Sequence, residues 1–372
     1  MTRQAITDEG THPVLVWLLR ALAALLIIGT LVSMTDLNQW WIRIWDFPRM
    51  QLLIVMLVLT AALWVFDRAG RPWLPLALLA LSVWQVTRIY PYTSLAPTEV
   101  KRVAEDNRTD DLCFSTLVLN VLQDNRDYAR TEDLIRRIDP DIVLLMETDS
   151  AWVSAMQPVL AGYPEQISRP LDNKYGLHFA TRLPMRDASM RDLAQEDTPS
   201  VFATVSVGGR DFRVIGLHPR PPRPGQDTEE RDAEIVVAAK ETQESGMPVL
   251  AIGDFNDVAW SDTTRLFRKL GGFLDPRVGR GTFATFPADM VWLGWPLDHV
   301  FVTEEFVLSD LTVEDPVGSD HRPITARLCL APETGERINA EPEQNDSEAE
   351  AEADDVMDDF AKDEAQDAVE GE

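Results

Sequence analysis

Three apolar runs in the first quarter of the chain decide more than anything else what it can become. A segment as long and apolar as the hydrocarbon core of a bilayer is thick does not make the surface of a soluble domain. From Val14 to Met34 the sequence reads VLVWLLRALAALLIIGTLVSM, with Arg20 as its one charge. That length reaches about 31 Å at about 1.5 Å per residue. A second run, MQLLIVMLVLTAALWVF, fills 50–66, and a third, PWLPLALLALSVWQVT, begins at Pro72. Residues 1–92 are therefore predicted to hold three transmembrane helices, at about 14–34, 50–66 and 72–90, the last two joined by the turn DRAGR from Asp67 to Arg71. No small-residue cleavage site follows the first run and further apolar runs come after it, which argues against a removable signal peptide. Trp40, Trp41 and Trp45 have the make-up of an interfacial anchor. Arg3, Arg68 and Arg71 would face one side of the bilayer and Arg43, Arg49, Arg88, Lys101 and Arg102 the other, a bias that leans towards a cytoplasmic position for the rest of the chain.

The composition then changes twice. After a linker at 93–110, residues 111–332 alternate apolar and charged segments as one soluble domain does, and 333–372 form an acidic, repetitive tail. The formal charge of −27 is concentrated there: Glu341 to Glu372 holds fifteen Asp and Glu against one Lys. Such a tail cannot bury enough apolar surface to order itself, so disorder is predicted, with Val356 and Phe360 offering at most one turn of a binding helix. No Lys/Arg-rich face is left for tracking long nucleic acid by phosphate neutralisation. Cys113 and Cys329 are too few for a disulfide scaffold and lack metal-ligand spacing.

In the middle part the pattern is strand after apolar strand, each ending on a polar group. CFSTLVLN ends on Asn120; TEDLIRRIDP then has helical spacing; DIVLLMETD delivers Glu147 at a strand end. FRVIGLHP ends on His218 and MPVLAIGDFND on Asp254 and Asn256, while WPLDHVFV opens with Asp298 and GSDHRPITARLCL puts Asp320 and His321 just before a last strand. Singly, each acidic residue after a strand reads as a cap or turn former. Together they make a set rich in hard oxygen ligands with two imidazoles, the donor set of a Mg²⁺ or Mn²⁺ phosphoryl site, whereas a structural zinc site would need clustered Cys and His.

In order and content these segments resemble the motifs of the endonuclease/exonuclease/phosphatase superfamily: LNV, LLMETD, GLHP, GDFN, LDHVF and GSDHRP, with GDFN and SDHRP the most specific. The resemblance covers about 112–330. It implies an α/β (α+β) fold, the DNase I-like four-layered α/β sandwich of two mixed sheets with helices outside, and metal-dependent hydrolysis of phosphoesters. It also implies roles. Glu147 would bind the metal, helped by Asn120 and Asp320. Asp254 would orient and deprotonate the attacking water, with Asn256 holding water or phosphate. His321, oriented by Asp298, would stabilise the charged phosphate, and His218 would be a second phosphate contact or a proton donor to the leaving group. The acidic partner that DNase-like members give this histidine falls at best on Asp172. Arg220 and Arg223, on the stiff run HPRPPRPG, would rim the site and contact substrate phosphate.

His178 reads as packing, His299 as pointing to the other face of its strand from Asp298, and Trp292 and Trp295 as hydrophobic packing or a surface for a base or lipid. The superfamily topology makes the strands of Cys113 and Cys329 antiparallel neighbours. With Asn120 and His321 marking one end, the thiols fall opposite each other at the far end, where an oxidising compartment would bridge them. The implied substrate is nucleic acid, or alternatively a phospholipid or phosphoinositide head group at the bilayer. A noncatalytic membrane receptor that keeps the fold would have lost ligands, and no principal ligand is missing. Membrane-tethered relatives place such a domain outside the cytoplasm of a multi-pass cell-membrane (inner-membrane) protein, against the slight Lys/Arg bias.

Overall fold

The computed structural model describes residues 13–67, 72–103 and 112–370. They fall into two compact units, Met1–Tyr90 and Pro91–Glu372.

Among the described residues the first unit has four α-helices: α1 (Pro13–Val32), α2 (Trp40–Arg43), α3 (Arg49–Phe66) and α4 (Trp73–Ile89). Leu52, Met56, Leu59 and Leu63 recur at helical spacing along one face of α3 and pack with Ala23 and Leu26 of α1 and Leu74 and Leu78 of α4. Among the described residues two helices are long and apolar enough to cross a membrane, α1 and α3, with mean hydropathies of 2.4 and 2.0. The third predicted span is corrected. It forms α4, but 17 residues reach only about 26 Å against a core of about 30 Å, and α4 buries Ser82, Gln85 and Arg88. Charges in the bundle are paired, as an apolar surrounding demands. Arg20 forks onto Asp67 with two 2.7 Å bonds, and the buried Arg49 pairs with Asp46 and donates to Gln85 at 3.2 Å. Trp45 packs where Gly29 leaves a notch, since a β-carbon there would come within 2.6 Å of its ring, while Trp41 stays 50% exposed. Arg3, Arg68 and Arg71, used above to orient the spans, lie outside the described residues.

In the second unit the chain runs β1 (Cys113–Asn120), α5 (Tyr128–Ile138), β2 (Ile142–Met146), α6 (Ser150–Leu160), β3 (Glu165–Arg169), β4 (Leu177–Thr181), β5 (Met185–Asp192), β6 (Pro199–Val207), β7 (Arg210–Leu217), α7 (Glu229–Ser245), β8 (Val249–Asp254), α8 (Asp262–Gly271), β9 (Asp298–Val302), β10 (Phe306–Val313), β11 (Ile324–Leu330), α9 (Pro332–Ile338) and α10 (Ser347–Glu370). One sheet has the order β10-β11-β1-β2-β4-β3 and the other β5-β6-β7-β8-β9. Each is mixed, with one parallel pair at its centre, β1–β2 and β7–β8. The central strands are apolar on both faces because both faces are covered. Phe114, Val118, Leu144 and Met146 of one sheet pack against Val201, Val214, Leu250 and Ile252 of the other, α5 and α6 cover the outside of the first, and α7 and α8 that of the second. The four-layered sandwich of two mixed sheets is thus observed.

Two boundaries are corrected. The predicted linker is part of the unit as far as Val103: Val100 is fully buried, and Lys101 donates its backbone N–H to Asn339 at 2.7 Å. Residues 104–110 of it lie outside the described residues. Among the described residues the predicted disordered tail instead contains α9 and the long helix α10. Ala349 and Ala353 of α10 are buried against α7 and α8, with Val356 and Met357 packed beside them, and Lys269–Asp346 (2.9 Å) and Lys240–Asp354 (3.3 Å) tie the helix down. Seated on a neighbour, a stripe of small residues is enough to order a segment too acidic to fold alone.

Cys113 stands opposite Cys329 in the β1–β11 register, and a disulfide joins them across a separation of 216 residues. Cys329→Ser is expected to lower stability by about 2–4 kcal/mol because so long a loop is no longer closed in the unfolded chain. An unchanged unfolding midpoint in non-reduced protein would show that the bridge contributes nothing. A second stability prediction concerns Glu234 of α7, fully buried beneath β6. Burial pushes its carboxyl up to about 8 from 4.5, against the pull of the 2.6 Å hydrogen bond from Ser200. Between those values the unfolded chain binds fewer protons than the folded one, so stability falls as pH rises from about 4.5 to about 8 and levels off above. Glu234→Gln removes the titration. Relative to wild type it should gain a few kcal/mol on going from pH 5 to pH 8, on the order set by about 1.4 kcal/mol per unit. A difference in melting temperature that is the same at both pH values would contradict this.

Candidate active site

The two parallel strand pairs end side by side, and their last residues point into one depression. β1 ends on Asn120 and β8 on Asp254, while Glu147 follows β2 and His218 follows β7. Asn120 is the bridge between the sheets. Its Nδ2 donates to Glu147 Oε1 and to Asp254 Oδ2, both at 3.1 Å, and its Oδ1 accepts from the Leu122 N–H at 3.0 Å. Glu147 sits at φ +60°, a left-handed conformation that costs a non-glycine residue about 1 kcal/mol or more. That turn lets its second oxygen accept from the Gln123 N–H at 3.1 Å while the carboxylate stays partly exposed.

Asp254, fully buried, is the centre of the site. Its Oδ1 accepts from the Asn256 N–H at 2.9 Å, and Asn256 is fixed in turn by donating its Nδ2 to the Pro219 carbonyl at 2.9 Å. On the other side Asp254 Oδ2 lies 3.5 Å from His321 Nε2 and 3.8 Å from His218 Nε2. His321 completes the line: its Nδ1 is 2.8 Å from Asp298 Oδ2. Burial works against charge on His321, but the Asp254 and Asp298 carboxylates override it and raise the imidazole to about 10, so it is an imidazolium at neutral pH. Burial also pushes Asp254 up, with the His321 charge pulling it back. His218 goes the other way. Burial outweighs the attraction of Asp254 and lowers it to about 4, leaving a neutral ring.

The predicted site residues therefore converge, with differences in degree. Asn120, Glu147, His218, Asp254, Asn256, Asp298 and His321 share the depression. Asp320 is exposed, its Oδ1 3.4 Å from Ser319 Oγ. Asp172 is exposed and lends only its carbonyl, to Gln123, so the carboxylate nearest His218 is that of Asp254. Arg220 is held at the rim by Thr198 (2.8 Å) and the Glu196 carbonyl (2.7 Å), its guanidinium 5.0 Å from the Tyr175 ring centroid. Arg223 is exposed and bonds Gln226 at 3.0 Å. His178 packs, bonded to Gln166 at 3.1 Å. His299 points away from the site: it meets Arg277 at 2.6 Å and the Asp257 carbonyl at 3.0 Å. Trp295 packs on Phe286, and Trp292 is 79% exposed.

Three contributors were missed in the sequence. Ser319 donates to the Asn120 carbonyl at 2.6 Å and accepts from the His321 N–H at 3.0 Å, locking β1 to the SDHRP turn. It was visible inside the GSDHRP motif. Tyr175, 5.5 Å from the His218 ring, and Phe286, 4.9 Å from that of His321, wall the site with aromatic faces and left no local signal.

Residues 117–321, more than half of the 372-residue chain, match the model of the Endonuclease/Exonuclease/phosphatase family. The chain belongs to that family. Its members hydrolyse phosphoester bonds with a divalent metal, and this member is a hydrolase of that kind. No curated protein sequence matches the chain. Among solved structures it is similar to an endonuclease/exonuclease/phosphatase from Beutenbergia cavernae (17% identity, 59% of this chain and 72% of that one, TM-score 0.49). It is similar also to D. rerio TDP2 complexed with single-strand DNA product (16%, 58% and 98%, 0.49) and to the human Nocturnin catalytic domain with bound sulfate (17%, 59% and 94%, 0.48).

The family's metal fits the residues present. Two carboxylates, Glu147 and Asp254, reach one amide within hydrogen-bond distance, a hard-oxygen setting that suits Mg²⁺ or Mn²⁺. Among the described residues Asp254, Asp298 and His321 also gather ligand-type atoms within 4.8 Å of one another. That trio is held together by protons instead: His321 lies between two carboxylates as an imidazolium and has no lone pair to give a cation.

Proposed function

We propose that this family member is a membrane-anchored phosphoesterase that hydrolyses phosphodiesters or phosphomonoesters by attack of water at phosphorus. The observation that carries the reading is the buried line Asn120–Asp254–His321–Asp298 opening onto Glu147. Glu147, with Asn120 and Asp320, would hold Mg²⁺ or Mn²⁺, which when bound neutralises developing charge on phosphoryl oxygens. Asp254 orients the attacking water and takes its proton. Desolvation makes that carboxylate more basic than an exposed one, and the Asn256 N–H fixes its orientation. The proton moves towards Asp254 Oδ as the water oxygen closes on phosphorus and the opposite P–O bond breaks, the leaving oxygen departing as an alcohol with a proton taken from solvent. His321, kept charged by Asp254 and Asp298, stabilises the phosphate oxygens as negative charge builds on them. His218, being neutral, acts as a hydrogen-bond donor to a phosphate oxygen, which of its two suggested roles is the one its protonation supports. Asn256 and the rim arginines Arg220 and Arg223 contact the substrate.

Anchoring rests on α1 and α3, and an extracytoplasmic position is favoured by the Cys113–Cys329 disulfide, a bond that persists in oxidising compartments. A C-terminal reporter active only in the cytoplasm would report the opposite side if it lit up. Nucleic acid and phospholipid head groups both offer the bond. The activity is tested by incubating the purified full-length protein with Mg²⁺ in ¹⁸O-water against DNA, RNA, phospholipid vesicles and a small phosphodiester. Label in the phosphate of at least one product supports the reading, and no product from any of them overturns it.

A further inference from the structure

At Arg220 the surface opens into a cleft of about 460 Å³ whose walls include Asn173, Glu196 and Asp197 from the sandwich and Phe360, Asp363 and Glu364 from α10. It adjoins the catalytic depression. Arg220 lies over Tyr175, and Tyr175 stacks towards His218. The neighbour of Asn173, Asp172, gives its carbonyl to Gln123, whose N–H holds Glu147.

The chemistry of α10 sets this cleft apart from an ordinary groove. The helix carries eleven carboxylates and one lysine, a net charge of −10. Carboxylates so dense repel one another, and the segment is helical because its apolar stripe, Ala349, Ala353, Val356 and Met357, is seated on α7 and α8. That seat carries the second half of the helix to the mouth of the cleft, where it meets Glu196 and Asp197 of the opposite wall. Nearby, burial first and then Asp227, Asp363 and Asp232 push Glu229 up to about 7. Arg220 is the one cation among the residues lining the cleft. A family that acts on phosphates would gain from a positive entrance, and this chain has placed an acidic helix there.

We propose that α10 is a charge filter: its carboxylates hold a negative potential over the Arg220 side of the entrance, so that the site accepts phosphoesters bearing one or two phosphates and turns away polyanions such as nucleic acid strands. The proposal rests on the phosphoesterase reading and narrows its substrate class. Repulsion of this kind acts mainly on encounter and binding, and it is screened by salt over about 8 Å at physiological ionic strength.

The test compares three full-length proteins in Mg²⁺: wild type, a cleft variant (D363N/E364Q) and a control (E348Q/E350Q). The control removes the same charge nearer the start of the helix, about 20–24 Å away at about 1.5 Å per residue and beyond the screening length. Each is assayed on a single-stranded DNA oligomer and on bis(p-nitrophenyl) phosphate, and circular dichroism follows the helix. The cleft variant is expected to raise kcat/KM on the oligomer by about tenfold or more, in line with electrostatic effects on encounter of 10-fold upwards. Its activity on the small diester should stay within about twofold of wild type, as should the control on both substrates. Wild-type activity on the oligomer should also rise with added salt, the reverse of ordinary nucleic-acid binding. Equal oligomer hydrolysis by wild type and cleft variant, or an equal gain in the control, overturns the filter while leaving the phosphoesterase reading intact. Failure of wild type on both substrates counts against that reading, and the filter falls with it.

Discussion

Asp254→Asn is expected to lower turnover by roughly 10² to 10⁴, the contribution of a positioned base, with metal affinity little changed and no rescue at any Mg²⁺ concentration. The asparagine keeps the shape of the buried side chain, and its Oδ1 can still accept from the Asn256 N–H, so the turn is preserved. What is lost is basicity at the one carboxylate that faces both imidazoles. Glu147→Ala separates the two functions. It removes a partly exposed carboxylate at the end of β2, so activity should fall but recover in part as Mg²⁺ or Mn²⁺ is raised, since weakened binding is overcome by mass action. Titrating activity against metal for both variants checks this. Rescue of Asp254→Asn, or none of Glu147→Ala, would exchange the roles assigned to them.

Asp298→Asn should cost roughly 10² to 10³ in kcat/KM near pH 8, the scale of losing one stabiliser of developing charge, and the deficit should depend on pH. Burial disfavours the charged form of His321, and two carboxylates hold its pKa at about 10. With Asp298 neutralised, burial weighs more and the pKa falls. The variant's imidazole stays charged at low pH and loses its proton as pH rises through the new value, while the wild-type imidazole remains charged. The ratio of variant to wild type should therefore approach one near pH 5.5 and drop steadily towards pH 9. A ratio independent of pH would mean that Asp298 serves only to orient the ring.

The core of the fold was legible because the information was local. Buried strands such as VLAIGD run apolar up to the polar residue that enters the site, so LNV, METD, GLHP, GDFN, LDHV and SDHRP could be matched in order to the superfamily's motifs, and that resemblance supplied the architecture and the centre. The resemblance implied that the strands of Cys113 and Cys329 are antiparallel neighbours, and with that topology given, counting from Asn120 and His321 set the two thiols opposite each other. What failed depended on partners that local sequence does not display. The tail read as disordered from its charge, although Ala349, Ala353, Val356, Met357 and Phe360 recur at helical spacing; alanines register as a docking stripe only once α7 and α8 supply a seat. The 93–110 stretch read as a linker because nothing in it announces that Val100 enters the core or that Asn339 captures Lys101. The third apolar run read as a span because hydropathy does not distinguish a helix that buries Ser82, Gln85 and Arg88 from one facing lipid. Tyr175 and Phe286 reach the imidazoles through tertiary folding alone.

The central claim, that hydrolysis at this site depends on a divalent metal, is tested most directly by assaying the full-length wild-type protein with its best phosphoester in excess EDTA and again after adding back Mg²⁺. Turnover is expected to disappear with the chelator and to return with the metal. Equal hydrolysis in EDTA would contradict it.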